Sequence, residues 1–230
     1  MEIIDLSWPI IQDHYRWQVR THRRHNFEPG QHPQMYTEID RLGCHFFTHC
    51  DSEVHFYKDI ERYVNQVPLS QWIGTAQVVD LTHLGENAAV TAEELEKHGQ
   101  KVKEGDIVIL RTDWPYKCAY DNPDFWAKSP YTTEDACDWL ISKKVKTVCY
   151  DYSPDYNIRY EVTEPGHVNT LESCTTHWKF FPEHILVIEY LANLRALPKD
   201  RFFFVGLPLA IVGTEGAPCR CIALPEISVD

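Results

Sequence analysis

A succession of short, unbroken apolar runs sets the main constraint on this chain. "TAQVVDL" at 75–81, "DIVILRT" at 106–112, "KTVCYDY" at 146–152 and "HILVIEYL" at 184–191 are rich in β-branched and aromatic side chains. Continuous apolar segments of this length read as buried strands. "EIIDLSW" near the start and "RFFFVGLPLAIV" at 201–212 add to the set, and "QMYTEIDRL" at 34–42 alternates polar with apolar residues. Two helices stand between them. "TAEELEKHG" at 91–99 opens with a capping box, Thr91 with Glu94, and stops at Gly99. "TTEDACDWLISKK" at 132–144 has a threonine N-cap, early acids and late lysines, which suits the helix dipole. The expectation is a mixed α/β fold with a substantial sheet.

No Gly/Ser-rich or Pro-rich linker, low-complexity stretch or internal repeat divides the sequence, so a single domain over residues 1–230 is expected. A formal charge of -12 argues against nucleic acid, which needs clustered Lys and Arg; the one basic knot, "RTHRRH" at 20–25, is short. The opening "MEIIDLSWPI" lacks the basic segment and apolar core of a signal peptide, and no apolar run reaches the roughly 18 residues that span a bilayer. A cytoplasmic protein with no membrane partner is expected. Its eight cysteines are then expected to be free thiols, Cys44 or Cys50 being a neighbour of the histidine cluster described next.

That cluster is "HFFTHCDSEVH" at 45–55, which places His45, His49, Asp51 and His55 in one short segment. Imidazole nitrogen and carboxylate oxygen are the usual ligands of zinc and manganese, and a catalytic site needs about three of them plus an open position. If the segment is extended, residues 49 and 51 share a face. A histidine among phenylalanines is more often a hydrogen-bonded core residue, so distant donors are the test. "HWKFFPEHILVIEYLANL" supplies His177 and, inside its apolar run, Glu189. A carboxylate there needs a cation or a partner, unless it alternates outward on an edge strand. His184, beside Pro182, is a rival that reads as a turn residue.

With these segments the chain resembles the cyclase-like metal-dependent hydrolase family, which includes bacterial kynurenine formamidase and isatin hydrolase. The family segment H-x-G-T-H-x-D-x-P-x-H is matched by "HFFTHCDSEVH". The similarity continues through "PLSQWIGTAQVVDL", "GDIVILRTDW", "VCYDYSPD", "IEYLANL" and "FFFVGLPLAIVGTEGAPCRCIAL". The resemblance implies a swivelling β/β/α fold in a homo-oligomer. It further implies that His45, His49, Asp51, His177 and Glu189 hold one or two divalent ions, zinc first and manganese as the alternative. His55 falls at the family's proton-transfer histidine, and Trp17, in the segment after the first strand, is the expected substrate contact. Tyr15 and Arg20 lie in the same segment, and Arg20, Arg23 and Arg24 form either a solvated basic patch or an attraction for a carboxylated substrate.

Three positions depart from the family pattern: Phe47 stands at the usual Gly, Glu53 at the usual Pro, and Tyr190 at the usual Asn. The turn and pocket wall beside the metals are therefore expected to differ, with Glu53 solvated, paired to an arginine or touching substrate. The resemblance implies hydrolysis of an amide, formamide, cyclic imide or lactone bond in a small carbonyl substrate, aromatic in the family's type, by metal-activated water with His55 as general acid and base. Two alternatives stay open: a cyclase or isomerase that enolises a carbonyl on the same metals, and a catalytically silent metal-binding protein.

Overall fold

The computed structural model describes residues 1–26 and 34–229. Strands in chain order are β1 (Ile4–Asp5), β2 (Arg20–Asn26), β3 (Gln34–Arg41), β4 (His49–Asp51), β5 (Ile73–Asp80), β6 (Ala89–Val90), β7 (Ile107–Arg111), β8 (Tyr131–Thr132), β9 (Thr147–Tyr150), β10 (Leu186–Glu189), β11 (Arg201–Pro208) and β12 (Gly216–Leu224). Helices are α1 (Ala92–His98), α2 (Trp114–Lys117), α3 (Asp124–Ala127), α4 (Glu134–Ser142), α5 (Tyr160–Thr163) and α6 (Thr175–Phe180).

Seven of these strands form a closed ring in the order β12-β11-β5-β7-β9-β10-β4, with β4 pairing back onto β12. The apolar runs supply its parallel part, β5-β7-β9-β10, with helices in the crossovers. Parallel strands covered on both faces need no polar alternation, which is why these segments read as unbroken hydrophobic sequence.

Period-two alternation divides the buried side chains into two cores. Ile107, Ile109, Cys149, Leu186, Ile188, Phe202, Phe204 and Ala217 fill the ring. Val108, Leu110, Val148, Tyr150 and Val187 point outward against Leu95 of α1, Leu140 of α4 and Phe180 of α6. Glu189 follows Val187 by two residues on β10, so the alternation directs it to this outer, helix-covered side. The strand is interior, between β9 and β4, and the edge-strand reading of Glu189 is excluded.

The two expected helices are present with altered caps. Thr91 Oγ1 accepts from Glu94 N at 3.3 Å and the Gly99 N–H closes on Leu95 O, while the Glu94 carboxylate turns to His83 instead of completing the box. Thr133 precedes α4, but its hydroxyl donates to Val90 O across the β6/β8 junction. "RTHRRH" forms most of β2, hairpinned onto β3, with Arg20 and Arg23 solvent-exposed; the Arg24 side chain lies outside the described residues. All eight cysteines are free thiols, and Cys50 faces the ring interior, its thiol directed to Gly206 O at 3.4 Å. Among the described residues no helix is long and apolar enough to cross a membrane.

Candidate metal centre

Strand β4 is three residues long and hydrogen-bonded on both sides. His49 lies opposite Glu189 of β10 and Pro218 of β12, and Asp51 lies opposite Val187 and Gly216. Pairing on both edges makes the segment extended despite its polar sequence, and extension puts His49 and Asp51 on the outer face with Cys50 on the inner one. Gly216 makes the closure possible. A Cβ at that position would stand 2.8 Å from His45 Cε1, 2.9 Å from Cys50 O and 3.0 Å from Asp51 Oδ1.

His45 reaches the same point from the turn before β4. Phe47, midway between the two histidines, has φ of +53°, the left-handed region in which a non-glycine residue costs roughly 1–2 kcal/mol. Its ring is fully buried, 4.7 Å from Trp17 and 5.5 Å from His14 between centroids, and that burial offsets the cost. The expected difference from a glycine turn is thus in the side chain: a phenylalanine wall carried on a backbone conformation that glycine adopts freely.

His177 arrives on α6. Asp155, after β9, accepts from Thr176 N at 2.7 Å and from His177 Nδ1 at 2.6 Å, which leaves His177 Nε2 facing Asp51 Oδ2 at 3.3 Å and Glu189 Oε1 at 3.6 Å. His49 is set in the same way. Its Nδ1 donates to the Phe47 carbonyl at 2.8 Å, so Nε2 is free to face Asp51 Oδ1 at 3.4 Å and Glu189 Oε2 at 3.8 Å.

The fit to a cation can be judged from Asp51. Its Oδ1 is 2.7 Å from His45 Nδ1, yet the approach lacks hydrogen-bond alignment, and this fully buried oxygen has no hydrogen-bond partner. Two donor atoms close together but not aimed at one another suit a shared third atom. An unpartnered buried carboxylate is costly otherwise. Donor atoms of Asp51, His177 and Glu189, all buried, lie within 4.8 Å of one another, as do those of His45, Asp51 and His55, and His49 Nε2 faces Asp51 and Glu189, a donor set that fits a divalent ion.

Burial favours the neutral acid of Asp51, but His49, His45 and His177 hold its carboxyl well below the usual range. Burial would depress His45, and Asp51 with Glu215 overcomes it, raising the ring to about 9. Burial similarly opposes charge on His177, and Asp155 raises it well above its ordinary value. Glu189 is shifted up by burial. His55 behaves oppositely: burial, reinforced by the neighbouring histidines, pushes it down to about 3 against the pull of Asp51.

His55 ends a short 3-10 turn, Glu53–His55, and stacks on His45 with centroids 4.0 Å apart, 5.8 Å from His177. Trp17 joins His45, His49, Asp51, His55, His177 and Glu189 around one cleft of about 240 Å³, whose mouth also carries Arg16 and Glu161. The five expected ligands, His55 and Trp17 thus line the same cleft. Trp17 is mostly enclosed, edge-on to Trp126 at 5.3 Å and Tyr190 at 5.4 Å. Arg20 and Arg23 take no part in the cleft; Arg16 is the cation there, bonded to Glu161 at 2.7 Å and placed 5.1 Å over the Trp126 ring. Tyr15 is exposed beside it.

Glu53 resolves to the arginine pairing: fully buried, it accepts two bonds from Arg62 and one contact of 3.2 Å from His184 Nδ1. His184, at φ of +57°, is therefore the turn residue its neighbours suggested, away from the cleft. Asp155, the mouth residues Arg16 and Glu161, and Glu215, whose Oε1 is 3.1 Å from His45 Nε2, were missed from sequence, while Tyr190, noted as a departure from the family pattern, forms part of the pocket wall. Only "VCYDYSPD", an acid just beyond a buried strand, offered a usable signal.

A family model described as "Putative cyclase" matches residues 4–156. An isatin hydrolase from Roseibium aggregatum is 28% identical over 207 residues, covering 80% of this chain and 72% of that protein. A kynurenine formamidase from Bacillus thuringiensis is 23% identical over 227 residues, covering 97% and 98%. The solved structure of a potential metal-dependent hydrolase with cyclase activity superposes with a TM-score of 0.71 at 23% identity over 99% of both chains, a likeness of fold.

Proposed function

Because this chain belongs to the cyclase family whose model spans residues 4–156, we propose that it is a metal-dependent hydrolase of one domain, residues 1–230, that opens a C–N or C–O bond at a carbonyl carbon of a small aromatic substrate. The observation that carries the reading is the meeting of His45, His49, Asp51, His177 and Glu189, from three separate stretches of chain, around a buried carboxylate oxygen with no hydrogen-bond partner. These five would hold the ion. The three imidazole donors favour zinc over manganese. When bound, a divalent ion supplies a Lewis acid and lowers the pKa of coordinated water from about 15.7 toward about 7.

The chain's own groups do the rest. Asp155 and the Phe47 carbonyl each accept a hydrogen bond from one imidazole Nδ1, so the Nε2 atoms of His177 and His49 are presented to the cleft in fixed tautomers. Trp17, Tyr190 and Phe56 line the remainder with aromatic surface, which excludes bulk water and suits a flat ring. His55, beside His45 and unshared with any carboxylate at hydrogen-bond distance among the described residues, accepts a proton at its free nitrogen and returns it to the departing nitrogen or oxygen. Arg16 and Glu161 at the mouth can meet polar substituents of the substrate without reaching the reacting carbon.

Metal analysis of untagged protein, followed by turnover on a panel of N-formyl aryl amines, isatin, cyclic imides and lactones, tests the reading. Bound zinc and consumption of one water per turnover are expected. Solvent-proton exchange at a substrate carbon without hydrolysis would assign the metals to enolisation instead, and metal-free protein with full activity would end the proposal.

A further inference from the structure

Outside the cleft, a second group of nitrogen and oxygen donors converges between α1 and the turn after β5. His83 Nε2 is 2.7 Å from Glu94 Oε2, and His98 Nε2 is 3.6 Å from the same oxygen. The two rings lie 4.9 Å apart between centroids at an interplanar angle of 28°. Glu94 and His98 are one helical turn apart on α1, the spacing that brings two side chains to one face. His83 comes from the turn after β5.

Both carriers are fixed. Thr91 and Gly99 cap α1 at its two ends. The turn bearing His83 is closed by Leu84 N to Leu81 O at 3.0 Å, tied by Asp80 to Thr82 N at 2.9 Å, and held from beneath by Lys117 Nζ, which donates to Thr82 O at 2.7 Å and Leu84 O at 2.5 Å. The donors therefore meet because the frame places them together.

One atom in this group is unexplained by protein contacts alone. His98 Nε2 is shielded from solvent and has no hydrogen-bond partner, although it is aimed toward the oxygen that His83 already engages. Zinc bonds of about 2.0–2.2 Å at tetrahedral angles set ligand atoms roughly 3.3–3.6 Å apart. The observed separations of 2.7 and 3.6 Å bracket that range, and all three donor atoms fall within 4.8 Å of one another. A small opening of the His83 contact would admit an ion.

We propose that His83, Glu94 and His98 form a second zinc site on the outer surface, independent of the catalytic cleft, with a fourth position open to water. Two neutral imidazoles and one carboxylate are a sufficient set for zinc, and the bound ion would clamp α1 to the turn that follows β5. The carboxylate supplies charge neutralisation and His98 Nε2 gains the partner it lacks.

The test titrates zinc into protein already loaded at the cleft and counts ions per chain, with His83→Ala, His98→Ala and, as a distant surface control, His167→Ala. The parent and the control are expected to take up one zinc ion more than His83→Ala and His98→Ala, whose uptake at this position weakens at least about a hundredfold, more than loss of a supporting residue gives. Turnover stays unchanged in all variants, and added zinc raises the Tm of the parent and the control only. Equal stoichiometry in all four proteins overturns the site, and so does loss of the extra ion in the control.

Discussion

Nδ1 of His177 donates a 2.6 Å hydrogen bond to the Asp155 carboxylate, and this decides which imidazole nitrogen faces Asp51 and Glu189. Asp155→Asn keeps an acceptor but removes the negative charge behind the ring. The affinity for the cleft metal is expected to fall about 10–100-fold, with turnover recovering at saturating metal. Competition against a chelator measures it; an unchanged affinity would show that Asp155 only supports α6.

His55→Ala deletes a proton carrier and its stacking on His45 while keeping all five proposed ligands. Metal content should stay at the parent level while kcat drops about 10²–10⁴-fold. Full turnover in this variant removes His55 from the mechanism, and loss of metal would make it a ligand.

Gly216→Ala introduces a carbon where His45, Cys50 O and Asp51 leave no room. Overpacking of this kind costs about 1–3 kcal/mol, and here it also pushes on two donors. The expected outcome is a lower urea midpoint together with weaker metal binding. A variant that keeps both would show that β4 yields easily.

Asp151 is enclosed behind β9 and accepts from Thr112 N, Thr112 Oγ1 and Asp113 N. Burial nevertheless raises its carboxyl from 3.8 to about 6. Since the folded value lies above the unfolded one, its contribution to stability is complete below pH 3.8 and disappears as pH rises through about 6. The linked change is on the order of 3 kcal/mol. Asp151→Asn lacks this loss, so its stability relative to the parent should improve between about pH 4 and pH 7 by that order. Urea unfolding across the range checks it, and a constant difference rejects it.

The parallel strands were legible because burial on both faces leaves uninterrupted apolar sequence, and α1 because Thr91 and Gly99 mark its ends. α6 was not. Its six residues, "TTHWKF", carry no capping side chain, and it is held by Asp155 and by packing on α4, both distant in sequence. β4 was legible only conditionally, since "HCD" becomes a strand through partners on both edges. The ligand candidates were found because donor spacing and an acid inside "ILVIEYL" are local signals. The supporting Asp155 and Glu215 were missed because orientation of a ring is a tertiary fact. At Phe47, Glu53 and Tyr190 residue type indicated change but not its form: the structure shows left-handed backbone at Phe47 and Tyr190 and an arginine pairing at Glu53.

Three residues, His49 to Asp51, both fasten the ring and carry two of the proposed ligands. Without that fastening, β10 and β12 each present a bare edge of backbone donors and acceptors, the kind of edge that recruits other chains. Loss of the proposed cation would leave the Asp51 and Glu189 carboxylates buried on this seam without their counter-charge, so chelation is expected to lower the stability of the seam and favour aggregation, which light scattering would register and added zinc would suppress.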